Sequence, residues 1–328
     1  MKRKAWTALA AVLAVTIAAA SLMRPAPLPE GVHTEDVTAP DSADQPLAVR
    51  VWYPDAPARP LPLIVVSHGT GGGETGHSGT AAALAKAGFV VAAVRHTGDN
   101  YRDDSYVGKG QHLWGRPQHV SRVIDYMLRR WSRRDRVDPA RIGLLGHSAG
   151  GFTGLVVAGG EPDLRKSAEH CRAEPGAWDC AYLKNAGAQP GRSAGPAAWN
   201  HDARIKALSI AAPAVGYAFA PDRLAAVNIP VQLWDAGQDD IVDRSAAIVR
   251  GLLPQPPEYH LVPKAGHFSF LDTCNLGMRT VITVLTWSGT PDVCADPDGL
   301  DRAAFHRRFN RDVAQFFGKT LIAVPSSR

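Results

Sequence analysis

The segment Leu144-Leu145-Gly146-His147-Ser148-Ala149-Gly150-Gly151 constrains the fold of this chain more than any other. It has the form G-x-S-x-G. Residues 141–145 before it are a short, mostly apolar run, and residues 149–158 after it are small and apolar. That order predicts a buried parallel strand, a sharp turn, and a helix packed on the sheet. A serine hydroxyl is a poor nucleophile at neutral pH, so a reactive serine has to be presented on such a turn, within reach of a base. The turn strains the serine backbone, and the close approach of strand and helix excludes side chains on either side. Glycine at 146 and 150 meets both demands. A glycine-rich turn with an incidental serine is the competing reading, and the partners of a nucleophile decide between the two.

Three partners follow in the chain. Residues 61–67 form an apolar, β-branched run that ends in His68-Gly69-Thr70-Gly71-Gly72-Gly73. A glycine-rich loop after a central strand lets backbone N–H groups approach a developing oxyanion, and the expected donors are Thr70 N–H and Ala149 N–H. The acid is expected after the strand-like run 229–234, within Asp235-Ala236-Gly237-Gln238-Asp239-Asp240-Ile241-Val242. The spacing G-x-x-D-x-[IV] selects Asp240, with Asp239 as the alternative; Asp235 sits too early, at the strand end. The base is expected after the last strand, residues 258–263, at His267. His260 lies inside that strand and His306 in a helix-like stretch, so both are read as structural. The chain order becomes Ser148, Asp240, His267, the order found in α/β-hydrolases and not in chymotrypsin or subtilisin.

Taken together, five segments carry a family likeness. They are Val66-Ser67-His68-Gly69-Thr70-Gly71-Gly72, Arg116-Pro117-Gln118-His119-Val120-Ser121-Arg122-Val123-Ile124-Asp125, Gly146-His147-Ser148-Ala149-Gly150-Gly151, Pro230-Val231-Gln232-Leu233-Trp234 and Ala265-Gly266-His267-Phe268-Ser269-Phe270. In these the chain resembles the bacterial dienelactone-hydrolase-like serine hydrolases related to platelet-activating-factor acetylhydrolases, from about residue 51 to residue 270. The resemblance implies an α/β-hydrolase fold, a mostly parallel sheet with helices on both faces. It also implies hydrolysis of a small-molecule or lipid ester without a cofactor. True dienelactone hydrolases use a cysteine nucleophile, and position 148 is serine, so their substrate is not carried over. A peptidase or amidase of the same fold is one alternative. A non-catalytic binding module is another, and it would have no need of all three triad members.

Composition sets the compartment. Lys2-Arg3-Lys4 precedes an apolar run over residues 5–20 that ends in Ala18-Ala19-Ala20, which reads as a secretory signal peptide cleaved after Ala20. The other reading is an uncleaved anchor, but the run is shorter than the ~20 residues of a spanning helix. Cleavage takes the formal charge from +5 to +2, which gives no case for nucleic acid. Four cysteines in an exported chain suggest two disulfides, most simply Cys171–Cys180 and Cys274–Cys294; the spacing lacks C-x-x-C and does not favour zinc. The expected organisation is a signal peptide at 1–20, a Pro- and Asp-rich tether at 21–46, and one hydrolase domain at 47–328 with a lid-like insertion at 161–200. Strand 47–53, helix 80–87, strand 89–94, strand 205–212 and a closing helix at 301–317 complete the alternation, and Pro117 marks the start of a long amphipathic helix. Trp178, Trp199, Phe268 and Phe270 are candidates to line an acyl pocket.

Overall fold

A computed structural model describes residues 27–41, 45–55, 59–185, 196–242, 244–286 and 291–322. The expected signal peptide lies outside the described residues, as does part of the 161–200 insertion. The apolar runs become strands β1 (Val32–Ala39), β2 (Leu47–Pro54), β3 (Leu61–Ser67), β4 (Val90–Val94), β5 (Val137–His147), β6 (Ile205–Ala211), β7 (Val231–Ala236) and β8 (Glu258–Val262). They form one sheet in the order β1-β2-β4-β3-β5-β6-β7-β8. From β4 to β8 every pairing is parallel, while β1 and β2 are antiparallel additions at one edge.

β1 corrects the expected tether. Residues 32–39 alternate in burial and pair along their whole length with β2, from Val32 opposite Pro54 to Ala39 opposite Leu47. Their exposed charged side chains hid the strand, because only the end residues Val32 and Ala39 are fully covered.

Helices cover both faces, since buried parallel strands need apolar cover on each side. On one face lie α2 (Gln111–Arg129), α3 (Ala149–Val157) and α6 (Ser245–Leu252). Val120, Val123, Ile124 and Met127 of α2 join Phe152 and Leu155 of α3 in this core. On the other face are α1 (Ser78–Lys86) and α8 (Arg302–Phe317), whose Leu84, Phe309, Val313 and Phe317 pack on Ile64 and Val91. Asp301 caps α8 by accepting from the Ala304 N–H, so the closing helix starts where its sequence signal places it. Pro117 does not start α2. It lies inside the helix, which begins at Gln111, and as a proline it offers no N–H to the Leu113 carbonyl one turn earlier.

The insertion between α3 and β6 holds α4 (Lys166–Ala173) and α5 (Trp178–Asn185), joined by the Cys171–Cys180 disulfide. The second disulfide, Cys274–Cys294, closes the segment that contains α7 (Leu276–Thr286). Both pairings are the local ones expected from the spacing. Among the described residues no helix is long and apolar enough to cross a membrane.

Candidate active site

β5 is central, and its carboxyl end delivers Ser148 to the edge of the sheet. The serine adopts φ 55° and ψ −120°, a strained conformation for a residue with a side chain. Four backbone hydrogen bonds hold it there. The Ser148 N–H donates to Ala211 O at the end of β6, and the Ser148 carbonyl accepts from Gly151 N–H, Phe152 N–H and Ala214 N–H. The two flanking glycines are required by space. A methyl group at 146 would overlap the Gly150 carbonyl, and one at 150 would overlap the Ser67 carbonyl of β3.

The His267 Nε2 atom lies 2.9 Å from Ser148 Oγ. Its Nδ1 lies 2.8 Å from Asp239 Oδ2, and His267 is 2% and Asp239 8% exposed at the side chain. The carboxylate facing Nδ1 fixes the tautomer: Nδ1–H donates to Asp239, which leaves Nε2 to accept from the serine hydroxyl.

The structure therefore does not bring the expected acid, Asp240, to His267; the alternative, Asp239, stands there instead. The loops after β7 and β8 are joined by hydrogen bonds from Gly237 N–H to Val262 O and from Gln238 N–H to Ala265 O. This register brings residue 239, not 240, alongside His267. Asp239 Oδ1 then accepts from both Ile241 N–H and Val242 N–H, and the resulting turn leaves Asp240 exposed. Burial works against the Asp239 carboxylate. The hydrogen bond and charge of His267, with the two N–H groups, outweigh it and hold its pKa below the ordinary value. Asp235 instead accepts from the Tyr259 hydroxyl.

The loop after β3 lies against Ser148. A methyl group at Gly69 would sit 3.1 Å from Ser148 Cβ. Among the described residues, neither the Thr70 N–H nor the Ala149 N–H is paired with a backbone acceptor. His68 carries the loop: its Nε2 accepts from His96 N–H, so Nδ1–H donates to Gly69 O. Burial first, then the Arg116 charge, push its pKa down to about 3, so the ring is neutral. His147, the residue before Ser148, meets the backbone of His267: its Nε2 lies 3.0 Å from His267 O.

Sequence reasoning missed the groups beneath this site. Asp99, Arg116, His112 and Thr153 are buried polar residues that tie the loop to α3. One signal was available. Arg116 stands on the same helix face as Val120, Val123 and Met127, so a charge falls on an apolar stripe.

His260 and His306 are structural: His260 stacks on Trp234 at 4.1 Å, and His306 Nε2 lies 2.9 Å from Ser269 O. Among the pocket candidates, Phe270 belongs to the core beside Phe305 and Phe309, and Trp199 packs edge-on against Phe152. Phe268 stands edge-on to His267 at 5.1 Å. Trp178 stacks on Tyr182 at 4.8 Å, and Tyr182 faces His112.

Over 93% of this chain and 94% of the other, the structure is similar to the ferulic acid esterase from Streptomyces cinnamoneus, with 21% identity and a TM-score of 0.58. The fold is that of an α/β-hydrolase. A cold-adapted esterase from an Arctic intertidal metagenomic library is also similar, at 17% identity over 73% of this chain and 87% of that one, with a TM-score of 0.49. Residues 64–172 match the prolyl oligopeptidase family. No curated protein matches the chain. The family match and the fold together indicate a serine hydrolase.

Proposed function

We propose that this α/β-hydrolase is a carboxylic-ester hydrolase that works through an acyl-enzyme on Ser148. The observation that carries the reading is the unbroken line Ser148 Oγ, His267 Nε2, His267 Nδ1, Asp239 Oδ2, with both links under 3 Å. His267 takes the serine proton as Oγ attacks the ester carbonyl, and Asp239 stabilises the imidazolium that forms. The Thr70 and Ala149 N–H groups receive the oxyanion. Collapse of the tetrahedral adduct expels the alcohol, which takes the proton from His267. Water, activated by the same histidine, then releases the acid. The resemblance to dienelactone-hydrolase-like enzymes belongs to this reading. So does export: the two disulfides fit an oxidising compartment, and the N-terminal sequence supplies the signal.

The match to the prolyl oligopeptidase family favours one second reading, cleavage of a peptide bond. An amide needs stronger leaving-group protonation than an ester. The triad and two N–H donors are sufficient for an ester. A panel of p-nitrophenyl esters of increasing acyl length, with a matched p-nitroanilide series and Ser148→Ala as control, tests both readings. Ester turnover that is lost in the variant supports the proposal. Faster turnover of the anilides moves the function to amide cleavage.

A further inference from the structure

We propose that Arg116 is the positioning residue of the oxyanion hole, and that its one guanidinium group fixes both donor N–H groups. The inference rests on the serine-hydrolase reading above. The two donors come from separate parts of the fold, Thr70 from the loop after β3 and Ala149 from the first turn of α3. The parallel pairing of β3 with β5 aligns the two segments up to the strand ends, Ser67 opposite Gly146, and the donors lie beyond it. The loop side is also the weaker of the two, because Gly69, Gly71, Gly72 and Gly73 give it little conformational restraint of its own.

Arg116 meets each side. One terminal nitrogen donates to His68 O, just before the Gly69–Thr70 peptide. The other pairs with Asp99, whose Oδ1 accepts from Gly71 N–H at 2.9 Å, just after that peptide. The peptide that carries the Thr70 N–H is thus held from both ends by one ion pair. His112 adds a third tie, with Nε2 3.0 Å from Asp99 Oδ2 and 3.2 Å from Thr70 Oγ1. On the helix side, Arg116 Nε donates to Thr153 Oγ1 at 3.2 Å, and that hydroxyl donates to Ala149 O at 2.7 Å.

Stability alone does not account for this arrangement. Arg116 and Asp99 are each 1% exposed, and a buried ion pair commonly stabilises a fold no better than apolar residues of equal volume. What the fork supplies here is direction: three donors in one plane set the loop, its carboxylate brace and the helix start relative to one another.

The test compares Thr153→Val, Thr153→Ser and Arg116→Lys with the wild type. Two rates are read: labelling of Ser148 by a fluorophosphonate, whose P=O oxygen needs the same donors, and turnover of p-nitrophenyl acetate. Thermal melts identify the folded variants. Thr153→Val should lose about tenfold in labelling rate and in kcat with KM unchanged, and Thr153→Ser should recover most of that loss. Folded Arg116→Lys should lose about 100-fold, as for a misplaced oxyanion donor. A Thr153→Val protein that labels as fast as Thr153→Ser, or a folded Arg116→Lys that labels within threefold of wild type, overturns the inference. If Arg116→Lys does not fold, the Thr153 pair decides. Labelling needs no ester substrate. A wild type that labels at Ser148 but cleaves no ester therefore refutes the ester reading alone, and the labelling rates still judge Arg116. A wild type that does not label refutes both.

Discussion

Lowering the pH from 7 to 5.5 should remove about 4 kcal/mol of folding stability. Four buried histidines have strongly lowered pKa values, His68, His77, His96 and His147, and His306 is lowered by burial in the same direction. In each of the four, burial is the main cause of a lowered pKa, to about 3 for His68 and about 4 for His77, and well below the ordinary 6.5 for the other two. The unfolded chain binds a proton at each of these positions as the pH falls through 6.5, and the folded chain does not. Stability therefore falls with pH over this window. Each histidine loses slightly over 1 kcal/mol, so the four lose about 5 kcal/mol. Asp272 acts in the opposite direction. Burial pushes its carboxyl up to about 6, against hydrogen bonds from the Gly79, Thr80 and Ser78 N–H groups, so the folded state takes up a proton there first. That offsets just under 1 kcal/mol of the loss. Urea unfolding monitored by tryptophan fluorescence at pH 7, 6.5, 6 and 5.5 gives the slope. A drop of about 4 kcal/mol is large beside a total stability of roughly 5–15 kcal/mol. His77→Gln should reduce the slope by about a quarter. A stability that changes by less than about 1 kcal/mol between pH 7 and 5.5 would show that these rings are not held neutral by the fold.

Other outcomes follow from the same geometry. Ser148→Ala and His267→Ala should each lower ester kcat by at least about 10⁴-fold with an unchanged melting temperature; near-normal turnover in a folded Ser148→Ala protein would end the serine mechanism. Asp239→Asn should lower kcat by about 10³- to 10⁴-fold and Asp240→Asn by less than threefold, since only Asp239 meets His267; the reverse ranking would reject the assignment. Mild reduction of the Cys171–Cys180 bond should shift the acyl-length preference before it changes far-UV circular dichroism, because α5 carries Tyr182 to His112, which lies against the loop after β3. An unaltered preference in the reduced, alkylated protein would remove α5 from the substrate-binding surface.

Much of the fold and part of the candidate site were legible in the sequence because they rest on local rules. Apolar β-branched runs, separated by helical periodicity, identified β2 to β8 and the covering helices α1, α2, α3 and α8, though not α6. Gly146 and Gly150 mark a strand–turn–helix contact so tight that no side chain fits, and that local signal is enough to place Ser148 on the turn. His267 and both disulfides followed from position and spacing on single loops. What only the tertiary structure decided involves two segments brought together. β1 became recognisable through its pairing with β2, because its exposed charges mask the alternation. The choice between Asp239 and Asp240 depended on two hydrogen bonds that align the β7 loop with the β8 loop, and a one-residue shift there exchanges an exposed carboxylate for one facing His267. Arg116 likewise reads along the chain as a lone charge on an apolar helix face. Its partners, His68, Asp99 and Thr153, lie 48, 17 and 37 residues away, and only packing against the sheet brings their atoms within hydrogen-bonding reach.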